Sequence, residues 1–137
     1  MPRIFTFRSS MFSIEPGEDE KTNPGVFGKS LASWMQRQLR DRGLGSDEPV
    51  VAEDFGWLTI VSRKPIFTWI ACTSQNEPDQ PLPSPMEWAV FVAADPSLMQ
   101  RLTGKAAVAE AVQSLERQVE EILRSEPQIT DLHADKG

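Results

Sequence analysis

The chain has 137 residues, with 14 basic against 20 acidic side chains, a net charge of −6 and one cysteine. Its 39% hydrophobic and 25% charged residues are the proportions of one globular domain, spanning 1–137, which excludes wholesale disorder. The acidity disfavours nucleic acid and anionic membranes as partners, and a lone cysteine excludes internal disulfides and multi-cysteine zinc sites.

Ile4 to Ser9 alternates apolar and polar residues and predicts a first strand. Residues 13–24 follow as an acidic, turn-rich loop containing Glu15, Glu18, Asp19 and Glu20. A helix is expected over about Val26 to Arg42, because Phe27, Leu31, Trp34, Met35 and Leu39 recur at three- and four-residue steps. Arg37, Arg40 and Arg42 load its C-terminal half, where cations suit the helix dipole.

Strands are then expected at Val50–Glu53, Trp57–Ser62 and Ile66–Thr73, the last two joined by a turn at Arg63-Lys64-Pro65. The proline-rich stretch 74–86 reads as a loop. Glu87 to Ala93 returns as a strand that is apolar on both sides, so it belongs in the centre of the sheet. Asp95-Pro96 predicts the start of a short helix running to Leu102, and a longer helix follows from Gly104 to about Ser125. Ile129 to His133 reads as a last, edge strand. The expected fold is a two-layer α+β sandwich: a mainly antiparallel sheet with two long amphipathic helices on one face.

Several motifs point to chemistry and fail on their details. Asn23-Pro24-Gly25-Val26-Phe27-Gly28-Lys29-Ser30 ends like a phosphate-binding loop, but Asn23 replaces the first glycine and Pro24 removes an N–H donor. It is better read as the start of a helix, with Asn23 or Pro24 at its head. Cys72 sits within an apolar strand and His133 lies near the chain end, a poor basis for a thiolate–imidazole pair. Adjacent Glu53 and Asp54 point to opposite sides of a strand, so they do not form a carboxylate dyad, and no metal-ligand spacing surrounds them. No catalytic constellation emerges, and no cofactor or metal is expected. The first residues lack the apolar core of a secretory signal, and no stretch has the length of a membrane span, so the expected location is the cytoplasm.

Acidic residues gather in three segments nearly free of bases: Glu15, Glu18, Asp19 and Glu20; Asp47, Glu48, Glu53 and Asp54; Glu77, Asp79 and Glu87. Two such segments at one edge of the sheet would steer a basic protein surface toward it. Trp34 reads as core, while one of the strand tryptophans is expected at a rim where it can anchor a partner.

The residues Asn23-Pro24-Gly25, Gly28-Lys29, Leu31-Ala32, Trp34 and Glu53-Asp54-Phe55-Gly56-Trp57 resemble the pattern of a family of small uncharacterised bacterial proteins. The resemblance extends to Trp88–Val92 and Glu126–Asp131 and so covers most of the chain. In size and character it is also similar to immunity proteins of bacterial toxin systems, which block a cognate toxin by binding it. The resemblance implies a non-enzymatic inhibitor whose partner is a basic toxin domain. The expected contact residues are Glu18, Asp19, Glu20, Glu53, Asp54 and Trp57. The alternative is a small-molecule-binding or enzymatic α+β domain with a pocket between sheet and helices.

Overall fold

The computed structural model describes residues 3–77, 79–95 and 104–136. In chain order it contains β1 (Arg3–Ser9), a 3₁₀ turn (Glu18–Glu20), α1 (Lys29–Asp41), β2 (Val51–Glu53), β3 (Gly56–Ser62), β4 (Phe67–Ser74), β5 (Met86–Asp95), α2 (Lys105–Ser125) and β6 (Thr130–Lys136). The expected short helix after Asp95 falls on residues 96–102, outside those described; Asp95 itself closes β5.

The six strands form one sheet in the order β2-β3-β4-β5-β1-β6, and every neighbouring pair is antiparallel. The fold is therefore α+β. Strands β2 to β5 form the expected meander, and β5 lies in the interior of the sheet between β4 and β1. The first strand does not start the sheet. It inserts between β5 and β6, pairing Phe7 with Trp88 on one side and Thr6 with His133 on the other.

One hydrophobic cluster joins alternate residues of the strands to the stripes of both helices. Phe5, Phe7, Trp57, Ile70, Cys72, Trp88, Val90 and Val92 meet Leu31, Trp34, Met35 and Leu39 of α1 and Leu115, Val119, Ile122 and Leu123 of α2. Period two in the strands and 3.6 in the helices deliver these side chains to a common core. Phe12, from the loop after β1, packs edge-on against Trp34 and Trp88 at centroid distances of 5.3 and 5.7 Å. The Trp88 indole N–H donates to the Ser9 carbonyl at 3.1 Å, so this large side chain is buried without an orphaned donor.

Helix α1 begins at Lys29, later than the periodicity suggested, because the Phe27 backbone is hydrogen-bonded to the end of β4 instead. Its N–H donates to Ser74 Oγ at 3.0 Å and its carbonyl accepts the Ser74 N–H at 2.8 Å. Gly28 lies so close to β4 that a Cβ there would sit 2.4 Å from the Cys72 carbonyl oxygen. Gly56 approaches the same oxygen, at 2.5 Å for an added Cβ. Only glycine permits both approaches.

Candidate functional site

Antiparallel pairing brings the loop 10–28, the β2–β3 turn Asp54-Phe55 and the described residues of the proline-rich loop, 75–77 and 79–85, to one end of the sheet. The loop and the turn are joined directly, since Asn23 Nδ2 donates to the Asp54 carbonyl at 2.8 Å. Four of the six expected contact residues, Glu18, Asp19, Glu20 and Asp54, belong to this junction, and Glu53 and Trp57 adjoin it as the last residue of β2 and the second residue of β3. Glu77, Asp79 and Glu87 lie at the same end.

Within that group the acids do different work. Glu18 is only 4% exposed. Its Oε2 accepts the N–H groups of Gly28 at 2.7 Å and Lys29 at 3.0 Å, and its Oε1 accepts the Glu15 N–H at 3.1 Å. It is the N-terminal cap of α1, delivered from ten residues upstream, and it places a negative charge at the positive end of the helix dipole. The N–H groups of the phosphate-loop-like Gly28-Lys29 are thus already occupied by a carboxylate of this chain. The head of the helix is set by Glu18 and not by Asn23 or Pro24. Asp19 closes its own loop through Oδ2, which accepts the Gly25 N–H at 2.8 Å. Glu20, Glu53 and Asp54 are exposed.

Trp57 is buried on the core side of β3, 4% exposed, opposite Cys72. Its indole N–H is buried without an acceptor. Lys29 Nζ stands 5.5 Å above the ring centre and 2.9 Å from Glu15 Oε2. These groups, with Gly17, Glu18 and Lys21, line a polar hollow of about 320 Å³. Phe55 is the residue that sequence reasoning missed. It is 45% exposed, and its ring centre lies 6.3 Å from that of Phe91. The signal available for it was its place between Asp54 and Gly56 at a two-residue turn, where a large apolar side chain has nowhere to be buried.

The remaining acids are elsewhere. Glu48 lies toward the opposite end, where Arg63 of the β3–β4 turn grips it with two hydrogen bonds of 2.8 and 2.7 Å. That pairing holds the Glu48 carboxyl below its ordinary value and raises the Arg63 guanidinium. Of the four tryptophans, Trp69 is the partly exposed one, its ring 5.0 Å from Phe67.

Cys72 and His133 are not brought together. Cys72 is fully buried in β4 and His133 is exposed in β6, three strand spacings or about 14 Å away. Burial pushes the Cys72 thiol far above its ordinary value, which keeps it a neutral, unreactive packing group. Among the described residues no cluster of three or more His, Cys, Asp or Glu side chains is placed to hold a metal ion, and no helix is long and apolar enough to cross a membrane.

Comparison with family models, curated proteins and solved structures gives no match for this chain.

Proposed function

We propose that the chain is a non-enzymatic protein-binding domain, an immunity- or antitoxin-like inhibitor that docks on a basic toxin surface in the cytoplasm. The observation that carries this reading is Phe55, an exposed aromatic side chain flanked by the exposed carboxylates of Glu53 and Asp54 and tied to the acidic loop through Asn23. An aromatic anchor beside unneutralised acids suits a partner that offers an apolar pocket ringed by lysine or arginine. Glu20 extends the acidic surface, while Glu18, Asp19 and Trp57 support it from within by fixing the loop and the start of α1. The same proposal includes a two-layer arrangement with both helices on one face, supported by the single cluster that their stripes share with the strands.

The test is affinity capture on the tagged chain, washed at about 0.15 M and then about 0.5 M salt, which shortens the Debye length from about 8 Å toward 3 Å. One stoichiometric basic protein released by the stronger wash, and lost with the double variant Glu53→Lys/Asp54→Lys, is the expected result. A bare wild-type bait, or a partner indifferent to the charge reversal, would overturn the reading.

A second reading has its own observation. A cavity of about 280 Å³, mainly apolar, lies between α2 and the β3–β4 hairpin, lined by Val61, Ile66, Thr68, Ala111, Leu115 and their neighbours. This is a place for a small apolar ligand, as a pocket between sheet and helices requires. A ligand-dependent rise in Tm that Ala111→Phe abolishes would favour it over protein binding.

A further inference from the structure

Several apolar side chains of the sheet take no part in the cluster beneath the helices. Strand register sets Val51, Leu58, Ala71, Phe91 and Ile4 in one row across β2, β3, β4, β5 and β1, about 19 Å long at the usual strand spacing. Ile60, Trp69 and Ala93 form the adjoining row. Each of these residues alternates with a core residue along its strand, so the rows lie on the opposite face. None of them belongs to the core cluster or to the side chains packed against it. Leu58, Ile60 and Ala71 are themselves buried between their neighbours. The accessible apolar surface of this face therefore consists of Val51 and Ile4 at the two ends of the first row, both more than one-third exposed, of Phe55 with its ring beside the half-buried Phe91, and of the half-buried Trp69 and Ala93.

The charges around this face are unequal. Arg8 meets Glu87 at 3.5 Å and Asp131 at 3.9 Å, and Arg63 is held by Glu48. Among the described residues, Glu53, Asp54 and Asp135 have no ion-pair partner; Glu53 continues the β2 alternation past Val51, and Asp135 pairs with Ile4. The border is therefore net negative around an apolar, aromatic centre. A second copy would bring like charges together, whereas a partner with an apolar ridge between lysines or arginines would neutralise them.

We infer that the sheet face opposite the core cluster, at its accessible part around Phe55 and Phe91, is the docking surface for a basic amphipathic segment of the protein partner. This rests on the protein-binding reading and extends it, because the acidic turn becomes the border of the interface and the strand face its centre. Aromatic residues at the middle of an interface carry most of its energy, and rim charges mainly set the encounter rate.

The probe is an amphipathic helical peptide of leucine and lysine, titrated into the full chain by calorimetry, with a leucine–glutamate peptide as control. Phe55→Ser and Ile4→Asn alter exposed positions and are expected to leave the fold intact, which a thermal melt checks. The expected result is saturable binding of the lysine peptide alone, weakened at least tenfold by Phe55→Ser and clearly weakened by Ile4→Asn. Binding that Glu53→Lys/Asp54→Lys abolishes while Phe55→Ser and Ile4→Asn leave it unchanged would overturn the strand-face inference and leave the acidic-loop reading standing. Binding indifferent to all these variants would overturn both. No binding of the lysine peptide would overturn the inference alone, the captured partner remaining the test of the reading. A chain that sediments as a dimer, reverting to monomer with Phe55→Ser, would show a second copy as the occupant and overturn the basic partner.

Discussion

The Glu18 carboxylate lies 2.7 Å from the Gly28 N–H, closing a turn between a buried acid and the first unsatisfied donor of α1. A charged acceptor at a helix N-terminus contributes more than a neutral cap, through its hydrogen bonds and through the dipole. Glu18→Ala removes three hydrogen bonds and is expected to lower stability by about 2–3 kcal/mol. Glu18→Gln keeps the shape without the charge and should cost less. Urea denaturation of the two variants checks the order, and equal losses would show that the charge itself contributes nothing.

The glycines that press on the Cys72 carbonyl give a sharper outcome. Gly28→Ala places a methyl group 2.4 Å from a backbone oxygen that is fixed within the sheet, so the strand or the start of the helix must shift. A loss of at least about 2 kcal/mol is expected, the range of overpacking. Gly43→Ala serves as the contrast. Its added Cβ meets nothing, although its φ of 78° still disfavours a side chain, so the loss should be smaller.

Cys72 should resist thiol reagents in the folded protein and react only as the chain opens. Burial raises its pKa, so the folded state keeps the thiol neutral at a pH where the unfolded thiol ionises. Its contribution is complete below the ordinary thiol range and is lost as pH rises above it. Labelling by an aromatic disulfide should therefore follow unfolding across a urea series. Rapid labelling without denaturant would contradict the placement of Cys72.

Acid should act in the opposite sense at Glu120. Its carboxylate accepts from Arg124 at 2.9 Å and from Arg3 at 3.0 Å, and these bonds hold its pKa below the ordinary 4.5. A lowered carboxylate pKa stabilises the fold above the ordinary value, and that contribution disappears as pH falls through the folded one. The stability gap between wild type and Glu120→Gln should thus be open at pH 7 and shrink as pH falls below the ordinary carboxylate range. Exposure limits its size, and salt should narrow it further.

Much of this architecture was legible in the chain because its signals are local. Alternation marked β1, a run apolar on both sides marked β5, the Leu31-Trp34-Met35-Leu39 stripe marked α1, and Arg63-Lys64-Pro65 marked a turn. Relations between distant residues were not legible. Nothing in the spacing of Glu18 and Gly28 announces a cap ten residues away, since side-chain caps ordinarily come from within the first turn. The insertion of β1 between β5 and β6 is likewise a long-range choice that alternation does not encode. The segment holding Glu48 and Asp54 reads as a single acidic run, yet β2 carries the chain from one end of the sheet to the other between them. Phe55 was hidden for a different reason: its exposure follows from a turn that leaves no room beneath it.

The position of β1 also bears on how the protein is made. Phe5 and Phe7 belong to the centre of the finished core, yet the strand that first pairs with theirs begins only at Met86. At translation rates of about 5–20 residues per second, they leave the ribosome roughly four to sixteen seconds before their partners exist. During that interval two bare aromatic side chains ride on an unpaired strand, inviting a chaperone or a neighbouring nascent chain. Synthesis is then a stage at which these two side chains stand open to aggregation, before the sheet that buries them exists.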